Sequence, residues 1–286
     1  MITHAHQAHP ELSLQRLCEL FEVSRSWYYE HLKQPEDDAE EIALRDRIEQ
    51  IILQFSGYGY RRVTHALARE EWQVNHKRVL RIMQEESRLG HLKKRFVIAT
   101  TNSRHRFPVY PNVLAGVVLK MPDQAWVADL TSIRLQRAFV YLACILDAFS
   151  RRCVGWHLSR EMTTQLTLTA LKHAIAQRRP QPGLIHHSDR GVQYASYDYV
   201  EQLQQIGAQI SMSSVSNPYD NAKAESFFKT LKQEEVYLKD YESFADAEAN
   251  LAVFIEEVYN TKRLHSSLGY LSPAEFETTY ISVPGS

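Results

Sequence analysis

Three short runs rich in β-branched and aromatic residues crowd together between residues 124 and 159: "QAWVADLTSIRL", "AFVYLACILDAFS" and "RCVGWHLS". Only short polar breaks separate them, so the spacing predicts three adjacent antiparallel strands. A helix then follows in "TTQLTLTALKHAIAQRR", a strand in "GLIHHS", a helix near "YDYVEQLQQIG" and a strand in "QISMSS". A meander followed by alternating helix and strand describes an α/β domain with a mixed sheet. In such a sheet the first strand and the strand entered through the crossover helix can be neighbours.

The remainder of the chain is helical in pattern. In "LSLQRLCELFEVSRSWYYEHL", Leu14, Leu17, Cys18 and Phe21 fall at helical spacing and Ser24 stands as an N-cap for a second helix. Two short helices with a tight turn have the grammar of a helix-turn-helix, although small helical pairs serve many purposes. After the acidic connector "QPEDDAEE", a second helical unit runs from Ile42 to about Leu89, with "SGYGYRR" as a turn and Asn75 as the N-cap of its last helix. Val79, Ile82 and Met83 line one side of that helix. Arg78, Arg81 and Arg88 lie on another, where they can meet a phosphate backbone or base edges, or simply solubilise an exposed face. The next segment, "HLKKRFVIATTNSRHRF", continues the basic run through Lys93, Lys94 and Arg95 without apolar periodicity. Late helices are expected over 218–236 and 243–260.

Charge supports this division. The formal net charge is only −1, yet residues 56–110 carry twelve Lys/Arg against four Asp/Glu, and residues 234–286 carry three against ten. The average conceals a basic block that fits a polyanion. No apolar run reaches transmembrane length and the N-terminus lacks the zones of a signal peptide, so a cytoplasmic, nucleoid-associated protein with no membrane partner is expected. Three scattered cysteines, Cys18, Cys144 and Cys153, offer neither a disulfide framework nor a zinc pair and read as core thiols.

Two aspartates and a glutamate stand out. Asp129 sits inside an apolar strand, where a carboxylate is costly unless something pairs with it. Asp189, in "LIHHSDRGVQYAS", projects from the end of a later strand beside His186, His187 and Arg190. Those histidines could orient a substrate, and a core or strand-capping role fits them equally. Glu225 shares a polar helical stripe with Asn221, Lys229 and Lys232, opposite Ala224, Phe227, Phe228 and Leu231; taken alone, it could be a surface Glu paired with Lys229. Gathered together, carboxylates about 4 Å apart repel by roughly 4 kcal/mol per pair at an effective dielectric of 20, a repulsion that divalent metal relieves. Hard oxygen ligands suit magnesium or manganese, and a pair of such ions can activate a nucleophile and stabilise a leaving oxygen.

The series Asp129 in "WVADLTS", Asp189 in "HHSDRGVQYAS" and Glu225 in "NPYDNAKAESFFKTLK" resembles the Asp-Asp-Glu catalytic core of transposases and integrases, specifically that of the IS-three family of insertion-sequence transposases. Thirty-five residues separate Asp189 from Glu225, and Lys232 stands seven beyond the glutamate. The closing "YNTKRLHSSLGYLSPAEF" and the two N-terminal helical stretches also resemble that family, so the likeness covers nearly the whole chain.

The resemblance implies an RNase H-like mixed-sheet catalytic core (123–262) behind small all-helical modules (1–35 and 41–92), a basic linker (93–122) and a C-terminal segment (263–286). It further implies that Asp129, Asp189 and Glu225 ligate two Mg²⁺ ions, with Mn²⁺ substituting. Water cleaves one strand at the element's end, and the freed 3′-hydroxyl attacks another phosphodiester. Lys232 and Lys229 would contact terminal phosphates, Gln193 and Tyr194 the substrate, and Asn221 would support the loop before its helix. Asp147 in "LDAFSRR", where the family also carries an acid, reads either as a support behind the ligands or as structural, and not as a ligand. The implied partners are double-stranded DNA (element ends and target), further copies of the chain as a homo-oligomer, and an upstream-frame product or fusion.

Three other readings compete. A tyrosine recombinase would use His187 and Arg190 as His-x-x-Arg with Tyr219 as nucleophile. A non-catalytic DNA-binding regulator would use the helical half alone. An RNase H-type nuclease would share the acids and metals but lack strand joining.

Overall fold

The structure, a computed structural model, describes residues 12–32, 39–86, 107–214 and 221–281, with Ile2, Ala5 and His9. Its contacts divide the chain into residues 1–50 and 51–286. In the first unit, α1 (Leu14–Leu20) starts where Ser13 Oγ accepts the Arg16 N–H, and α2 (Arg25–Leu32) starts where Ser24 Oγ accepts the Trp27 N–H at 3.0 Å. The Ser24 cap is as expected. Leu17, Cys18 and Tyr28 are buried there, but Phe21 is exposed. Helix α1 stops at Leu20, so Phe21 leaves the face that its spacing had assigned to it. Helix α3 (Ala39–Gln54) follows, with Leu44, Ile48 and Ile51 buried.

In the second unit, α4 (Tyr60–Arg69) and α5 (His76–Glu85) pack together. Asn75 Oδ1 caps α5 by accepting the Lys77 N–H at 2.8 Å, and Val79, Ile82 and Met83 form its buried stripe. Both features agree with the sequence pattern.

The sheet has the order β3-β2-β1-β4-β5. Strands β1 (Ala125–Arg134), β2 (Phe139–Asp147) and β3 (Cys153–Ser159) form the antiparallel meander. Helix α6 (Thr164–Arg178) then crosses back, ending in the left-handed residue Arg179 ahead of Pro180, which cannot continue a helix. It delivers β4 (Ile185–Ser188) parallel to β1. Helices α7 (Val192–Ala195) and α8 (Tyr197–Gln205) lead to β5 (Gln209–Met212), parallel to β4.

Strand alternation assigns the two faces. Ala125, Val127 and Ile133 face a core shared with α9 (Ala222–Leu231) and α10 (Phe244–Ala252), whereas Trp126, Ala128 and Leu130 face one shared with α6, α7 and α8. Gly155 allows a close approach between sheet and helix: a Cβ there would stand 2.5 Å from the Ala170 carbonyl of α6. Both late helices continue into wider π-type turns, at Lys232–Val236 and Val253–Lys262. Helix α11 (Pro273–Ile281) closes the described chain. All three cysteines are free and buried. Among the described residues no helix is long and apolar enough to cross a membrane.

Candidate active site

Strand register brings the first two acids level. The last parallel couple of β1 and β4 is Val127 with His187. Counting two residues on along each chain reaches Asp129, still within β1, and Asp189, one residue past the end of β4. The Leu130 N–H donates to Asp129 Oδ1 at 2.8 Å, and the Gly191 N–H to Asp189 Oδ1 at 2.9 Å. A Cβ at 191 would crowd Asp189 Oδ1 and Gln193 Oε1, so glycine leaves these side-chain oxygens their present positions.

Glu225 enters from α9, whose Ala224, Phe227, Phe228 and Leu231 are buried against the sheet as the helical wheel predicts. Burying such side chains contributes about 1.5–3 kcal/mol for each large one, which fixes the helix and therefore its polar stripe. Glu225 is exposed, and among the described residues it forms no ion pair with Lys229. The surface-pair reading is therefore not realised. Asn221 ties the start of α9 to β1, its Nδ2–H donating to the Ala128 carbonyl at 3.3 Å, one residue before Asp129.

Electrostatics join the three acids. The Asp129 carboxyl is pushed up to about 7, first by burial, then by the charge of Asp189 and more weakly by that of Glu225. The Leu130 N–H and the Lys232 ammonium pull the other way without balancing them. Desolvation also lowers Lys232, against the attraction of Asp129. Among the described residues no three His, Cys, Asp or Glu side chains are gathered into a group that could hold a metal ion as they stand. The acids thus share an electrostatic neighbourhood without closing on one point.

Comparison with known proteins shows which family the chain belongs to. Residues 120–218 match one integrase core domain model, residues 206–273 a second, and residues 38–96 an HTH-like domain. The chain is 40% identical over 268 residues to the "Insertion element IS600 uncharacterized 31 kDa protein" of Shigella sonnei, covering 92% of this chain and 98% of that one. It is 36% identical to the transposase for insertion sequence element IS904 of Lactococcus lactis (86% and 98% covered). It is 32% identical to transposase InsF for insertion sequence IS3A of Escherichia coli (95% and 96% covered). The chain belongs to the IS-three family of insertion-sequence transposases.

Within this transposase-family fold, the histidines beside Asp189 have structural roles. His186 is buried, its Nε2 3.0 Å from Tyr199 Oη, and burial together with His187 lowers it to about 3, so it is neutral. His187 is buried between Ser211 Oγ (2.8 Å from Nδ1) and Ser213 Oγ (3.1 Å from Nε2). Neither is presented to a substrate, and the His-x-x-Arg reading loses its histidine. Arg190 donates from Nε to the Ser213 carbonyl at 2.8 Å.

The other sequence-selected residues are distributed unevenly. Lys229 is exposed and Lys232 half-buried on the acid-bearing side of α9. Gln193 and Tyr194 are buried, Gln193 Nε2–H donating to the Met162 carbonyl at 3.2 Å and Tyr194 packing edge-on to Tyr199. As placed, neither offers a surface to DNA, because the short helix α7 turns them into the core. Arg78 and Arg81 lie on α5 away from its buried stripe, with Arg81 3.6 Å from Glu85 on the solvent side. Arg88, Lys93, Lys94 and Arg95, like Asn217, Pro218 and Tyr219, lie outside the described residues.

Asp147 is structural, as its sequence context suggests. It accepts the N–H groups of Asp123, Phe149 and Ser150 and the Ser150 hydroxyl. Three interactions had no local signal: the Asn221–Ala128 tie, the Arg263–Glu234 pair and the clasp of Asn260 on Cys153. Buried Asn and Arg in otherwise apolar helices are the only hint the sequence offers of them.

Proposed function

We propose that this chain is a DNA transposase that cleaves a phosphodiester at each end of its element and joins the freed 3′-hydroxyl to another phosphodiester, with Asp129, Asp189 and Glu225 as its metal-binding acids. The observation that carries this reading is the state of Asp129: a carboxyl inside an apolar strand, raised to about 7 by burial and by two neighbouring carboxylates. Three hard oxygen donors in one electrostatic neighbourhood fit Mg²⁺ or Mn²⁺. Buried polar atoms support the fit, since Asn221 Oδ1, Gln193 Oε1 and Tyr194 Oη have no partner among the described residues. Bound divalent metal would polarise the scissile phosphate and favour the deprotonated form of the attacking water or hydroxyl.

The chain's own groups supply position. The middle of β1 holds one carboxylate and the residue just past β4 the second, α9 brings the third, and Asn221 fixes where α9 starts relative to Asp129. Lys232, drawn toward Asp129, and Lys229 stand on the same helix as cationic partners for phosphates beside the cut. Hydrolysis breaks the P–O3′ bond and leaves a 3′-hydroxyl. In joining, that hydroxyl attacks a second phosphorus, loses its proton and displaces that phosphate's own 3′ oxygen. No covalent protein intermediate is needed. Two ends must be handled together, so the working form is a homo-oligomer on double-stranded DNA. An upstream-frame product or fusion would add to end recognition.

The test is incubation of the purified chain with DNA carrying the element's ends and Mg²⁺ or Mn²⁺. Cut and joined products should form, and both EDTA and Asp129→Asn should abolish them. Activity persisting in EDTA would return the tyrosine recombinase. Hydrolysis without joining would leave a nuclease, and DNA binding alone a regulator.

A further inference from the structure

The helices that carry Arg78 and Arg81 are tied to the acid-bearing helix through the C-terminal segment, at several points along one face of α4. The Leu264 N–H donates to the buried Tyr58 hydroxyl at 2.7 Å, next to the start of α4. The adjacent Arg263 forms a bidentate pair with Glu234, both contacts 2.7 Å, with side-chain exposures of 4% and 8%. Glu234 lies in the π-type turn that continues α9, nine residues beyond Glu225. Gly57 seats directly on it, and a Cβ at 57 would overlap the Glu234 side chain. Farther along α4, His65 stacks on Tyr270 at 3.5 Å between ring centroids, and Arg69 pairs with Glu275. Positions 65 and 69 are one helical turn apart and so share a face. The same segment is anchored to the sheet through Asn260, which exchanges two hydrogen bonds of 2.9 Å with the Cys153 backbone in β3.

We propose that residues 263–275 form a clamp that holds α4 and α5 at a fixed distance from Asp129 and Glu225, and that this distance selects which phosphodiester is cut relative to the sequence the helices grip. The proposal rests on the transposase reading for its second half only. Tyr58, His65, Arg69, Tyr270 and Glu275 are positioning residues. The face of α4 that carries His65 and Arg69 is turned to the clamp, which leaves α5 to meet DNA. A chain of contacts runs from Tyr58 through Leu264, Arg263 and Glu234 into α9, so a shift of the helix pair is transmitted to the helix that carries Glu225.

The test uses the full chain with spin labels at Gln84→Cys and Lys172→Cys, two exposed positions on α5 and α6, the native cysteines being buried. Tyr58→Phe with Arg69→Glu removes two ties while keeping the buried aromatic ring at position 58. We expect the label-to-label distance distribution to broaden, cutting at the principal phosphodiester to fall at least about tenfold, and cuts to appear at neighbouring positions. Adding Glu275→Arg should restore much of both. An unchanged distance distribution overturns the clamp. A broadened distribution with cuts still confined to one position overturns the selection of the phosphodiester. If unlabelled wild type fails to cut, or Asp129→Asn still cuts, the transposase reading fails instead, and the distance measurement decides the clamp by itself.

Discussion

Replacing Asp129 by Asn should stabilise the metal-free protein at pH 8 and do much less at pH 5. The sign follows from linkage: the folded carboxyl titrates near 7 and the unfolded one near 3.8, so the folded state holds the proton more tightly. Stability is therefore lost as pH rises from 3.8 and the loss is complete above about 7. At about 1.36 kcal/mol per pH step, the full cost is about 4 kcal/mol, and at pH 5 only about 1–2 kcal/mol of it is present. Asp129 retains some contact with solvent, which brings the expected gain at pH 8 to about 2–4 kcal/mol. The asparagine is nearly isosteric, and its Oδ1 keeps the Leu130 N–H. For a domain of this size such a gain raises Tm by about 5–15 °C. Thermal unfolding in EDTA at pH 5 and pH 8 measures it. Saturating Mg²⁺ should stabilise the wild type at pH 8 and leave the variant nearly unchanged. An equal shift of Tm at both pH values, or none at pH 8, would refute the account of a carboxylate strained by burial and like charge.

Four further outcomes are expected. Asp189→Asn and Glu225→Gln should each lower end cleavage at least about 100-fold, with far-UV circular dichroism unchanged, since each removes a charge that metal would meet. The Mg²⁺ concentration for half-maximal cleavage should rise about fivefold between pH 7 and pH 6, because the proton on Asp129, held with a pKa of about 7, competes with the ion, and should be flat above pH 8. Asn260→Ala should cost about 2–4 kcal/mol in denaturant unfolding, because it strands both the N–H and the carbonyl of buried Cys153. Asp147→Asn should destabilise by about 1–3 kcal/mol, since its amide would turn an N–H donor toward the Asp123 N–H that Asp147 Oδ2 now accepts at 2.7 Å.

The meander, the crossover and the late helices were legible in the sequence because strand and helix periodicity are local properties of the chain. Legible too were the caps at Ser24 and Asn75, each a short side chain placed just before an apolar-periodic run. What escaped was set through space. Phe21 matched its helical face until the helix stopped one residue short of it. His186 and His187 looked equally able to meet a substrate or a core, and the choice fell to Tyr199, Ser211 and Ser213, which come from later elements. Glu225 and Lys229 have the spacing of a surface ion pair, but no such pair forms, and the acid instead acts electrostatically on Asp129 of the central strand β1. The tie between α4 and the C-terminal segment joins residues about two hundred positions apart, beyond the reach of any local pattern.

Asp129 and Asp147 show how structure separates two carboxylates that sequence makes look alike. Both stand in apolar strands, β1 and β2, and both are raised by burial. Asp147 is met by three backbone N–H groups and a hydroxyl, all supplied by the turns it organises, so its charge is satisfied within the fold. Asp129 receives one N–H, from the residue after it, and faces two further carboxylates. A buried carboxylate surrounded by donors completes a turn, whereas one surrounded by other acids remains unfavourable until a cation arrives. Nothing in the packing of β1 needs an acid at 129, where an apolar side chain would extend the core formed by Val127 and Ile133. The proposed binding of a divalent ion would account for the energetic penalty at that position, and the packing of β1 does not.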